Sequence, residues 1–99
     1  MEPLNRIELR GIVGSIRTSN VSNTRVANFS VATNYSYTDK DGRPVIETTW
    51  HYVTAYGISN LEKGDKVHVL GRLRARRYLS SDGVERMTYE VIANKVDLI

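Results

Sequence analysis

Along residues 5–16 the apolar side chains Ile7, Leu9 and Val13 fall on one parity, with Gly11 on the same parity. That is the period-2 signature of a half-buried strand. Gly11 and Gly14 interrupt it, and glycine inside a strand marks a bulge, a bend or a close backbone approach. The polar stretch 18–24 (Thr-Ser-Asn-Val-Ser-Asn-Thr) reads as a loop, because these side chains compete for backbone hydrogen bonds. Residues 26–38 alternate again, with Ala27, Phe29, Val31, Tyr35 and Tyr37 on one face. Asp39 to Pro44 is a turn around Gly42, residues 45–56 are a third strand, and 57–64 are a short connection. A fourth strand is predicted over 65–79, a turn at Ser80 to Gly83, and a last strand over 84–96.

Five strands and no convincing helix define an all-β chain. Its 99 residues and 11.2 kDa suit one domain, residues 1–99. The 26 Val, Ile and Thr residues against five Ala agree with pleated surface. Glycine kinks in the first strand point to closure into a small barrel, which removes exposed edges. A five-stranded OB-fold Greek-key barrel with long hairpins is one such solution and an SH3-like barrel the other; periodicity alone does not separate them. Cysteine is absent, which excludes disulfides and fits a reducing compartment. No apolar run spans a bilayer, and the N-terminus lacks a secretory pattern, so a cytoplasmic protein with no membrane partner is expected.

Parity also sorts the aromatic residues. In the third strand Val53 and Ala55 share the interior face with His51, so Trp50, Tyr52 and Tyr56 point outward. In the fourth, Leu73, Ala75 and Leu79 take the core-facing parity, leaving Arg72, Arg74, Arg76 and Tyr78 as an outer row. Leu70 falls on the outer parity, so a bulge is expected near Gly71. His51, on the inward row, reads as a hydrogen-bonded structural or interface histidine.

Enzyme chemistry finds little support. The two histidines, His51 and His68, have no carboxylate or cysteine at ligand spacing, and no phosphate loop or nucleophile motif is present. No cofactor, metal or catalytic residue is expected, and an OB-fold hydrolase lacks its cluster of carboxylates. The formal net charge is only +3. Between Lys63 and Arg86, however, seven basic residues face three acids, so this segment carries +4 and the remainder −1. Arginines beside outward aromatics neutralise phosphates while the rings stack on unpaired bases, which describes a platform for single-stranded nucleic acid. Duplex recognition would call for a helix in the major groove.

The order of motifs resembles the bacterial single-stranded DNA-binding protein family. The matching segments are Gly11-Ile12-Val13-Gly14, then Val26-Ala27-Asn28-Phe29-Ser30-Val31-Ala32-Thr33, and Thr49-Trp50-His51 in a strand ending Tyr56-Gly57. Further along come Lys63-Gly64, Gly71-Arg72-Leu73-Arg74 and Tyr89-Glu90-Val91. The resemblance implies an OB-fold that binds single-stranded DNA in replication, recombination or repair, as a nucleoid-associated homotetramer. It places stacking aromatics at Trp50, Tyr56, Tyr37 and Tyr78, phosphate contacts at Arg6, Lys63, Arg74, Arg76 and Arg77, and a subunit-interface histidine at His51. Arg72 joins the contacts through the outer row. Two departures stand out: the connection 57–63 is short for the family's helix, and the chain stops at Ile99 without the acidic tip through which relatives recruit enzymes. Recruitment by that route is therefore not expected, and a dimeric adaptor like primosomal replication protein N is the alternative.

Overall fold

The computed structural model describes residues 1–58 and 60–99. Five strands form: β1 (Ile7–Val21), β2 (Thr24–Thr38), β3 (Pro44–Tyr56), β4 (Lys66–Leu79) and β5 (Glu85–Leu98). They close into a barrel in the order β1-β2-β3-β5-β4, with β4 returning to pair with β1. Every pairing is antiparallel except β3 with β5, which is parallel and confined to Val53↔Val91 and Thr54↔Ile92. The alternating apolar positions supply the core. Val13, Val31, Val53, Val67 and Val69 are fully buried, and Leu9, Ala27, Phe29, Ala55 and Val91 pack with them. Leu61 joins this cluster from the β3–β4 connection, with Ile58 packed against it. That connection carries no helix among its described residues.

Closing so few strands needs strong coiling, and two glycines permit it. A β-carbon at Gly11 would lie 2.2 Å from the Ala32 carbonyl oxygen, and one at Gly71 2.2 Å from that of Ile92. Of the features that glycines in β1 leave open, a bulge is present, since three steps from Val13 to Ile16 oppose two from Val31 to Phe29. Near Gly71 the irregularity differs from expectation. Leu70 pairs with Lys95 and Gly71 with Ala93, so the extra residue is Asn94 on β5. On β4 the inward parity runs unbroken through Val67, Val69 and Gly71, and Leu70 stays on the outer face, half-buried.

Two expectations are corrected. Residues 18–24 are not a loop: β1 and β2 pair up to Val21↔Thr24, joined by Ser22 and Asn23 at φ of 50° and 65°. A two-residue turn with both φ positive matches the twist of the strands, and asparagine tolerates that region. Leu73, Ala75 and Leu79 are exposed rather than in the core, because the β4–β5 hairpin runs past the barrel. The β2–β3 hairpin does the same, burial fading beyond Val31 and Val53. These arms give a radius of gyration of 16.0 Å, against about 13 Å for a compact chain of this length.

Candidate nucleic-acid interface

The β2–β3 register fixes which side chains face outward. Ala27, Phe29 and Val31 oppose Ala55, Val53 and His51 on the inner face, so Val26, Asn28, Ser30 and Ala32 oppose Tyr56, Thr54, Tyr52 and Trp50 on the outer one. Trp50, Tyr52 and Tyr56 are 52%, 64% and 56% exposed. Side chains this large would be costly to leave in water if the barrel could hold them, so their exposure marks a surface with another use.

Trp50 does not wave freely. Its six-membered ring lies over Gly14 in β1, where a β-carbon would fall 2.3 Å from Cζ3 and 2.8 Å from Cη2. The missing side chain at Gly14 is thus the seat of the indole. Beside it the bulge is pinned to β2: the Ser15 amide donates to Ser30 Oγ at 3.0 Å, and the two hydroxyls lie 3.1 Å apart.

Alongside Ser15 and Ser30 an open groove of about 480 Å³ runs across the outer face. Tyr52 and Arg17 flank it, Asn28 and Thr54 contribute from β2 and β3, and Arg76 and Glu90 from β4 and β5. Thr54 Oγ1 donates to Asn28 Oδ1 at 2.9 Å. Arg72, Arg74 and Arg76 stand on β4 opposite Ile92, Glu90 and Thr88, and Tyr78 continues their row opposite Arg86.

Of the residues singled out from sequence, the outer surface therefore carries Trp50, Tyr56, Tyr78, Arg72, Arg74 and Arg76. Tyr37, Arg77 and His51 lie on the other parity of their strands, and Arg6 and Lys63 lie in the segments before β1 and β4. Tyr37 lies on the opposite face of the β2–β3 arm, its ring centroid 6.0 Å from that of Tyr35. Arg77 faces away from the Arg72 row and reaches Glu85 at 3.6 Å. Arg6 precedes β1 and lines the clefts beside Leu73 and Lys95. Lys63 is exposed in the turn before β4, next to Gly64, whose amide donates to the Val13 carbonyl at 2.8 Å. His51 is half-buried, its Nε2 2.7 Å from Thr33 Oγ1, and burial lowers its pKa from 6.5.

Sequence reasoning left Arg17, Glu90 and the Gly14 seat out of the site, and it put Tyr52 on the outer row without giving it a role. Arg17 lies beyond the bulge, which shifts its parity outward, and Glu90 reads as an ordinary strand carboxylate until its register with Arg74 is known. No group of three or more metal-ligating side chains occurs among the described residues, and no helix is long and apolar enough to cross a membrane.

Comparison with known proteins agrees with this architecture. The model of the single-strand binding protein family matches residues 4–99, and the chain belongs to that family. It is 38% identical over 80 residues to a single-stranded DNA-binding protein of Neisseria meningitidis, covering 75% of this chain and 46% of the relative. A single-stranded DNA-binding protein of Xanthomonas axonopodis pv. citri is 30% identical over 104 residues, covering 97% and 58%. The chain thus spans about half the length of the curated relatives it matches. Among solved structures, the Plasmodium falciparum SSB in complex with ssDNA superposes with a TM-score of 0.84 at 32% identity, covering 100% of this chain and 96% of that one. A deletion mutant of the Thermus aquaticus single-stranded DNA binding protein shares the fold, with a TM-score of 0.80 at 24% identity over 97% of this chain and 50% of that one. The barrel is the OB-fold of this family, not its SH3-like rival.

Proposed function

We propose that this chain binds single-stranded DNA with little sequence preference, stacking bases on its outer aromatics and neutralising phosphates with its cations. The observation that carries the reading is the row Trp50, Tyr52, Tyr56, exposed on one strand, with Arg17 and Arg76 sharing a groove with Tyr52. Every base has a π-face, so such a row tolerates sequence, and each stacked base contributes about 1–3 kcal/mol. Tyr78 extends the platform along the β4–β5 arm. Arg6 and Lys63 add phosphate contacts from the segments before β1 and β4, and Tyr37 and Arg77 serve DNA that wraps around the arms onto their second face. Family membership and the relative solved with ssDNA support the reading.

Copies of the chain assemble, as a homotetramer in this reading, with the half-buried His51 at a subunit contact. Joining barrels raises the effective concentration of each site for a shared strand, which one barrel covering about 4–16 nucleotides cannot do alone. The cellular role that follows is protection of exposed strands during replication, recombination and repair. The test is fluorescence anisotropy of labelled oligo(dT) beside a duplex of equal length, with light scattering of the free protein. Selective binding of the single strand by a particle of four chains is expected; equal affinity for the duplex overturns the reading.

A further inference from the structure

The four arginines between Arg72 and Arg77 are not electrostatically equal. Glu90, opposite Arg74 across the hairpin, has a side chain only 10% exposed. Arg74 donates to its Oε1 twice, from Nε at 3.0 Å and Nη2 at 2.5 Å. The other oxygen, Oε2, lies 3.4 Å from Thr54 Oγ1, whose proton is shared with the nearer Asn28 Oδ1, and 3.8 Å from Arg76 Nη1. A buried carboxylate is costly without a hydrogen-bonded counter-charge, and little salt reaches it. Glu90 therefore keeps Arg74. Arg76 is 65% exposed, held by one long contact, and lines the groove with Tyr52. Arg72 has no ion pair among the described residues.

We propose that Glu90 masks Arg74 and so decides which arginines of the row meet phosphate. Arg74 is a positioning residue: through Glu90 and Thr54 it ties the base of the β4–β5 arm to β3. Arg72 and Arg76 make the phosphate contacts. The Glu90 charge also keeps the DNA backbone off the groove floor, leaving Asn28 and Thr54 to the bases. This inference rests on the single-strand reading above, and it makes the row worth two released counterions instead of three.

The test is the dependence of poly(dT) affinity on salt, since on single strands each phosphate contact contributes about 0.7 to the slope of log K against log salt. R72A and R76A should each flatten the slope by about 0.7. R74Q should lower affinity, because Glu90 is left to draw on Arg76, and E90Q should steepen the slope by about 0.7 as Arg74 becomes available. The double variant R74Q/E90Q, which removes both charges and no net charge, should return to the wild-type slope. An R74Q/E90Q slope as flat as that of R76A, or an E90Q slope equal to wild type, overturns the proposal. Should the wild-type protein not bind poly(dT), the single-strand reading fails by itself. Masking is then decided in the free protein by exchange of the Arg74 Nε–H in nitrogen-15 NMR. Slow exchange in wild type and fast exchange in E90Q uphold it; equally fast exchange in both overturns it.

Discussion

Gly14→Ala isolates the stacking platform from the fold beneath it. A β-carbon at this position would sit 2.3 Å from Trp50 Cζ3, so the ring must retreat by roughly 1.2 Å to reach an ordinary carbon–carbon contact. Gly14 does not have a positive φ, so alanine strains no torsion, and the groups that must give way are side chains, not backbone: the half-exposed ring and, 2.9 Å from the new β-carbon, the Ser30 hydroxyl. Alanine in a strand also recovers about 0.5–1 kcal/mol of backbone entropy relative to glycine. The melting temperature should therefore stay within a few degrees of wild type. Binding should not be spared: an unseated indole loses much of one stacked base, about 1–3 kcal/mol, or 5- to 150-fold in affinity for oligo(dT). The assay is anisotropy of a labelled oligonucleotide, run as a double-mutant cycle with Trp50→Ala. In the Trp50→Ala background, Gly14→Ala should add no more than about 0.5 kcal/mol, because the ring it displaces is gone and only the 2.9 Å approach to Ser30 Oγ remains. An undiminished loss in that background, or a Gly14→Ala protein that unfolds, would refute the seat.

Other substitutions separate surface from core. Val53→Ala removes buried carbon from the centre of the barrel and should cost about 2 kcal/mol of stability while leaving the affinity of the folded fraction intact, read by denaturant titration and anisotropy. Trp50→Ala should do the reverse, lowering affinity by about 1–3 kcal/mol at unchanged stability; if it unfolds the chain, Trp50 is core. Burial lowers the His51 pKa from 6.5, so the unfolded chain takes up a proton at higher pH than the folded one. The stability set by this group is complete above pH 6.5 and is lost as pH falls from there through the folded-state pKa. A thermal-melt series across pH 4.5–7.5 should flatten in His51→Gln, and an identical pH profile in the variant would count against this assignment.

Much of the fold lies open in the sequence because a strand with one buried face writes its burial as alternation. Val53 and Ala55 against Trp50, Tyr52 and Tyr56 is such a case, and the structure keeps every one of these residues on its expected side. The same signal misleads where a strand outruns the barrel. Leu73, Ala75 and Leu79 alternate as a core row would, yet they stay exposed past the end of the barrel, since alternation does not say what stands opposite. Polar residues 18–24 erred the other way, because an exposed ladder needs only backbone pairing and a turn that fits its twist. Contacts between distant strands were the least legible. The Gly14–Trp50 seat and the Arg74–Glu90 pair both depend on register, and a single extra residue, at the β1 bulge or at Asn94, resets it.

The claim that the outer aromatics receive unpaired bases has a direct reporter, since Trp50 is the chain's one tryptophan. Its fluorescence should be quenched on titration with poly(dT) at low salt and recover as salt releases the DNA. Binding with no change in Trp50 emission, or no binding at all, would contradict the account.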